Sequence, residues 1–307
     1  MRVAVVGAGA VGLYFGAKLQ RAGHEVRFLV RRDYEALAAY GLSVTSPEGN
    51  FHLEQVQGFR TSTEIGTVDL VLVAIKTVDN SRLVELVAPL MGSETLVLTV
   101  QNGLGNEDLL ADAFGPDRIL GGIAIIAVHR GEPGVVHHHA HGSIRFGEFA
   151  GGITDRTSTL ADTFSRSGIP CDVVADFRKI RWEKLVWNIT FNGLCTVTGK
   201  TPGQILSHVD GYRLATGLMR EVIAGANSQN LTELLQPDAF IDSIVANTLM
   251  HTADYRPSMA IDRQEGRPLE LNAIYRIPLE FAAERGCEMV RVRMLHDLLA
   301  VGETNSE

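Results

Sequence analysis

Three glycines, Gly7, Gly9 and Gly12, stand in the spacing GxGxxG within Gly7-Ala8-Gly9-Ala10-Val11-Gly12. That spacing permits a tight turn, close approach of backbone to a pyrophosphate and close packing of the following helix on a sheet. Free N–H groups and the helix dipole would favour an anion at the start of that helix. About twenty positions on, a dinucleotide site that holds a free ribose hydroxyl usually has a carboxylate. This chain has Arg31 and Arg32 instead. Guanidinium groups suit a 2′-phosphate, so the expected cofactor is NADP rather than NAD. The alternative is that the arginines cap a strand or pair with Asp33.

A second set of polar residues, Lys184, Asn188 and Asn192, recurs at intervals of four in a helix-like stretch. That interval places the three on one face. Trp182, Leu185, Val186, Trp187, Ile189 and Phe191 surround them, so the lysine should be partly desolvated unless it faces a cleft; the alternative is a solvated lysine or an ion pair near Glu183. Asn102 follows an apolar strand in a glycine-rich turn, and Lys76 ends another. Ligands of open α/β sheets bind at that edge, although Asn before Gly is also an ordinary turn residue. His137, His139 and His141 could share one face of a strand, yet no acidic or cysteine partner completes a metal set. No metal is expected, and a wet strand or an interface is the preferred reading.

These residues need elements to hold them. Residues 3–6 form a β-branched strand, residues 13–22 a helix and residues 25–30 a second strand, together a βαβ unit. Residues 68–75, 96–100 and 119–128 read as further buried strands, with residues 131–134 and 145–147 as hairpin turns and strand ends. The alternation predicts an α/β domain with a mainly parallel, doubly wound sheet. Beyond about residue 175 the periodicity turns helical, over residues 178–195, 211–230, 237–253 and 272–285. The expected organisation is a nucleotide-binding domain at 1–175 and an all-α domain at 176–307, with the boundary falling within 168–177.

The chain's 307 residues favour two domains. Its 45% hydrophobic and 21% charged residues are those of a folded protein. A net charge of -8 offers no general basic field, which argues against a nucleic-acid partner. No apolar run is long enough for a membrane span and none resembles a signal peptide, so the expected location is the cytoplasm. Cys171, Cys195 and Cys287 are isolated and are read as small hydrophobes.

Taken in order, Gly7 to Gly12 with Arg31, Ala74-Ile75-Lys76, Gln101-Asn102-Gly103-Leu104-Gly105, Lys184-Leu185-Val186-Trp187-Asn188 with Asn192, and Ser258-Met259 through Asp262 to Glu270 resemble the ketopantoate reductase family across nearly the whole chain. The resemblance implies a Rossmann domain followed by a helical domain, with NADPH in the cleft. The implied reaction reduces ketopantoate to D-pantoate, which feeds coenzyme A synthesis. Lys184 would be the general acid, stabilising and protonating the oxyanion that forms as hydride reaches the keto carbon. Glu270 would orient Lys184 or accept a bond from a substrate hydroxyl, and Asn102, Asn188, Asn192 and Ser258 would bind substrate. Gly7, Ala8, Gly9, Ala10, Val11, Gly12, Arg31, Lys76 and Asn102 would line the cofactor. Structural alternatives are an N-cap for Ser258 and a helix-start charge for Glu270. Other readings are a reductase of a different 2-keto acid and an NADPH sensor without turnover; a homodimer is compatible with the helical half.

Overall fold

Alternation along the parallel strands decides which side of the sheet each residue faces. Val3, Val5, Leu70, Leu72 and Leu98 join one buried cluster, while Ala4, Val6, Val71, Val73 and Val97 join another. Strands buried on both faces read as unbroken apolar runs, which is why 3–6 and 70–73 carry no polar alternation. The structure, a computed structural model, describes residues 1–303. It divides into two compact units: residues 1–101 with 106–177, and Asn102–Gly105 with the chain from Arg178 onward.

The first unit is built on ten strands among the described residues: β1 (Arg2–Val6), β2 (Glu25–Leu29), β3 (Leu42–Thr45), β4 (Phe51–Leu53), β5 (Gln57–Phe59), β6 (Leu70–Val73), β7 (Leu96–Thr99), β8 (Ile119–Arg130), β9 (Val135–Glu148) and β10 (Cys171–Val173). Their order is β4-β3-β9-β8-β7-β6-β1-β2-β5, with β10 added beside β9. All pairings are parallel except β3 with β4 and β8 with β9. The predicted doubly wound sheet is therefore present, and its order reverses at β1, which lies between β2 and β6. Ligands of such sheets bind beyond the carboxyl ends of the strands at that reversal.

Several local expectations change. The first helix spans Ala10–Arg21 and so begins inside the glycine motif, three residues earlier than the periodicity suggested. Gly16 within it packs so closely that a Cβ there would come 2.4 Å from the Phe28 ring. Residues 145–147, read as turns and strand ends, lie inside β9, a strand of 14 residues that pairs along β8 through two irregularities in register. The strands β3, β4, β5 and β10 are only three or four residues long, too short to show a period.

The second unit is helical around one core that includes Trp182, Phe191, Met219, Tyr275 and Leu295. The stretch 178–195 is not one continuous α-helix. Helix Phe177–Trp187 passes into a π-helical turn, Asn188–Asn192, and resumes as Gly193–Thr198. A second π-helical turn, Asn272–Arg276, precedes helix Ile277–Glu284. Helices Pro202–Leu206, Ser258–Gln264 and Val290–Val301 fall outside the predicted stretches. Among the described residues no helix is long and apolar enough to cross a membrane.

Candidate functional site

Gly7 follows β1 with a φ of 106°, a conformation that L side chains rarely adopt, and a Cβ there would lie 2.3 Å from the Ile75 backbone nitrogen. A Cβ on Gly12 would lie 2.1 Å from the Gly7 carbonyl oxygen. Gly9 is different: nothing stands within 4 Å of its missing side chain. The glycine turn is thus closed toward β6 and open at Gly9, which directly precedes helix Ala10–Arg21. That helix has no side-chain cap and no acidic residue in its first turn. Unsatisfied N–H groups with no competing carboxylate fit a pyrophosphate.

Arg31 lies past the end of β2, 61% exposed, with its guanidinium 3.3 Å from Asp79. Asp79 belongs to the 3-10 turn Thr77–Arg82, whose N-cap is Lys76. The turns after β2 and β6 are therefore linked next to the glycine turn after β1. Arg32 does pair with Asp33, at 3.7 Å. Asp33 itself is buried and forms a second ion pair with Arg130 of β8. This is a feature the sequence reading missed: the one carboxylate in this short segment is turned inward and neutralised, so it does not oppose a 2′-phosphate beside Arg31. Its signal was faint, because Arg130 is remote in sequence.

Also unforeseen is a chain of amides that fixes the end of β7. Gln101 donates to Asn80 at 2.8 Å, Asn80 donates to Asn106 at 2.8 Å, and Thr99 donates to Gln101 at 3.0 Å. Gln101 and Asn106 are buried, and such groups are held when hydrogen-bonded.

The next four residues, Asn102–Gly105, group with the helical unit, where sequence reading had assigned them to the sheet's edge. Leu104 donates its N–H to the Ala273 carbonyl at 2.9 Å, and a Cβ on Gly103 would strike that same carbonyl at 2.3 Å. The consequence is chemical: the Asn102 amide donates to the Glu270 carboxylate at 3.4 Å, across 168 residues of chain. Glu270 is buried.

Lys184 joins this group through its charge. Part of the side chain remains accessible, yet enough protein surrounds the ammonium to desolvate it, and Arg181 adds a like charge. These effects lower its pKa to about 7, against the opposing pull of Glu270. Glu183 instead pairs with Lys179, at 3.7 Å. Arg181, only 2% exposed, was not singled out from sequence, although it sits one helical turn before the lysine.

Asn188 and Asn192 are both buried and open and close the first π-helical turn. The wider turn alters the simple four-residue face expected of an α-helix, and such turns frequently occur at functional sites. Tyr275, wholly buried in the second π-helical turn, donates its hydroxyl to the Ile189 carbonyl at 2.9 Å.

Other expected residues stand differently. Ser258 is exposed and is the first residue of its helix, with Pro257 in the N-cap position, so the capping alternative does not hold. Asp262 is buried against Arg267 at 2.8 Å. Of the histidines, His139 is 2.7 Å from His129, His137 is 2.7 Å from the Thr45 hydroxyl and His141 has a φ of 64°. The rings of His137 and His139 both lie against that of His129, with centroids 4.9 and 4.7 Å apart.

Two family profiles match the chain: "Ketopantoate reductase PanE/ApbA" over residues 3–151 and "Ketopantoate reductase PanE/ApbA C terminal" over residues 176–303. A 2-dehydropantoate 2-reductase of Nostoc sp. is 37% identical over 303 residues, covering 97% of this chain and 94% of that one. The crystal structure of 2-dehydropantoate 2-reductase from Geobacter metallireducens superposes with a TM-score of 0.95 at 50% identity, covering 98% of this chain and 99% of that one. The corresponding enzyme from Methylococcus capsulatus gives 0.87 at 28% identity, with 98% and 96% covered. With both halves matched in order and the glycine turn, the lysine helix and the carboxylate segment all in place, the chain belongs to the ketopantoate reductase family.

Proposed function

We propose that this protein reduces 2-dehydropantoate to D-pantoate with NADPH, in the supply of pantothenate and coenzyme A. The observation that carries the reading is the near-complete match, at 37% identity, to a curated 2-dehydropantoate 2-reductase. The glycine turn open at Gly9, the uncapped helix behind it and the exposed Arg31 support NADPH as the cofactor; when bound, it supplies the hydride. Ala8, Ala10 and Val11 contribute backbone beside the glycines, and Lys76 contributes a cation at the end of β6.

Lys184 is the general acid. Hydride addition leaves negative charge on the keto oxygen, and an ammonium within hydrogen-bond reach both stabilises that charge and protonates it. A pKa of about 7 makes Lys184 a better proton donor than an ordinary lysine at neutral pH, while still leaving much of it charged. Glu270 counters the desolvation and holds Asn102 by a hydrogen bond. Asn102, Asn188 and Asn192 position substrate oxygens, and the exposed Ser258 hydroxyl donates to the carboxylate. The same proposal places the enzyme in the cytoplasm as a homodimer. Supporting the dimer is helix Val290–Val301, which buries Val292, Leu295 and Leu299 but leaves Val290, Met294, Leu298 and Val301 exposed on the opposite side.

The test is loss of NADPH absorbance with purified protein, using ketopantoate, a panel of other 2-keto acids and NADH as the control donor. Strong preference for ketopantoate with NADPH is expected. Faster turnover of a different acid would overturn the substrate, and NADPH binding without turnover of any acid would overturn the activity.

A further inference from the structure

The helical unit contains a cleft of about 240 Å³ that none of the proposed substrate residues lines. Its floor includes Cys195 and Thr196, which follow the first π-helical turn, and one wall is helix Ser258–Gln264. Pro257, Ala260 and Gln264 line the cleft and recur at intervals of three and four, so they share one face of that wall. Ser258 lies about 100° further round the helix and Asp262 further still, on the other side. The wall that presents Ser258 thus has a back, and the back faces this cleft.

Three cations surround the space: Lys200, Arg256 and Arg263. Arg263 donates to the Leu299 and Gly302 carbonyls and so closes the end of helix Val290–Val301. Arg256 donates to the Gln264 side chain at 2.8 Å, which orients its guanidinium without neutralising it. Three carboxylates of the surrounding segments have other partners: Asp262 and Glu265 pair with Arg267, and Glu303 accepts from the Leu269 N–H. In a chain of net charge -8, a recess framed by three cations, none of which forms an ion pair with a carboxylate among the described residues, is a local reversal of field. Its volume equals about eight liquid waters, enough for a phosphate with a small organic group and too little for a dinucleotide.

We propose that this cleft binds the phosphate group of a small anionic metabolite, held by Lys200 and Arg256, at a site separate from the keto acid. Guanidinium and ammonium donors together suit a tetrahedral dianion better than a single carboxylate. Because the floor continues from Asn192 and the wall carries Ser258, occupancy is felt by the segments that hold substrate.

The test uses full-length protein saturated with NADP⁺, so that the 2′-phosphate site is filled, titrated calorimetrically with inorganic phosphate at constant ionic strength. Saturable binding is expected. In the Lys200→Glu/Arg256→Glu double variant it weakens at least tenfold while NADP⁺ affinity is unchanged. Ala260→Leu, which narrows the cleft without changing charge, also weakens it; because Lys200 and Arg256 are exposed, the double variant decides the matter even where Ala260→Leu does not fold. Malonate binds more weakly than phosphate. No saturable binding, equal binding by wild type and double variant, full binding by Ala260→Leu, malonate binding as tightly as phosphate, or displacement of phosphate by ketopantoate would each overturn the proposal.

Discussion

The hydroxyl of Tyr275 donates a 2.9 Å hydrogen bond to the main-chain carbonyl of Ile189, tying one π-helical turn to the other. Ile189 lies within the turn bounded by Asn188 and Asn192, and Tyr275 lies five residues after Glu270. The bond is wholly enclosed, and burial pushes the phenol pKa upward, so Tyr275 remains a donor at any working pH. It is a positioning contact: it sets the carboxylate segment against the asparagine turn through the main chain of Ile189.

Tyr275→Phe removes the hydrogen bond and little volume. Stability should fall by about 1 kcal/mol. A comparable loss in positioning corresponds to a roughly fivefold lower kcat, with NADPH affinity unchanged. Steady-state kinetics with both substrates varied checks this. Loss of stability with full kcat would reduce the tyrosine to a packing role.

The lowered pKa of Lys184 predicts the pH profile. A proton donor must be protonated, so kcat/KM should be flat on the acid side and decline as pH rises through about 7. Glu270 raises that value, so Glu270→Gln should move the decline to lower pH as well as reduce the rate. A profile that stays flat into the alkaline range would exclude Lys184 as the acid.

Lys184→Met should abolish reduction, retain NADPH binding and make the protein more stable. The folded-state pKa lies below the unfolded one, so below about pH 7 the folded chain bears the full cost of charging this lysine. The cost disappears as pH rises toward the ordinary lysine range. The stabilisation is at most a few kcal/mol, largest in mildly acidic buffer and absent at high pH. Thermal melts of both proteins in the two buffers measure it.

Arg31→Ala should weaken NADPH binding about ten- to a hundredfold while leaving NADH binding nearly unchanged, as expected for loss of one charge-assisted contact. The ion pair with Asp79 must open to receive the phosphate, which places the effect toward the lower end. Equal weakening for both cofactors would remove Arg31 from phosphate recognition.

Arg130→Met leaves the buried carboxylate of Asp33 with only the longer, exposed Arg32 pair and should cost about 2–4 kcal/mol. Adding Asp33→Asn should recover part of that loss, because it removes a buried charge that the Arg32 pair alone does not offset. Chemical denaturation of the single and double variants provides the cycle.

Short-range patterns made much of this protein readable before its structure. Unbroken apolar runs at residues 3–6 and 70–73 announce strands buried on both faces, and the glycine turn between strand and helix announces a phosphate cradle, because both depend on neighbouring residues. The helical second half was legible for the same reason: its periodicity lies within single segments of the chain. What required the tertiary structure was every relationship made by distant segments. Asp33 is silenced by Arg130, Asn102 is claimed by Glu270 in the helical unit, and the predicted helix opens at Asn188–Asn192 into a π turn braced by Tyr275. Local propensity cannot encode these outcomes, since each rests on a hydrogen bond or ion pair whose partner is set by the fold.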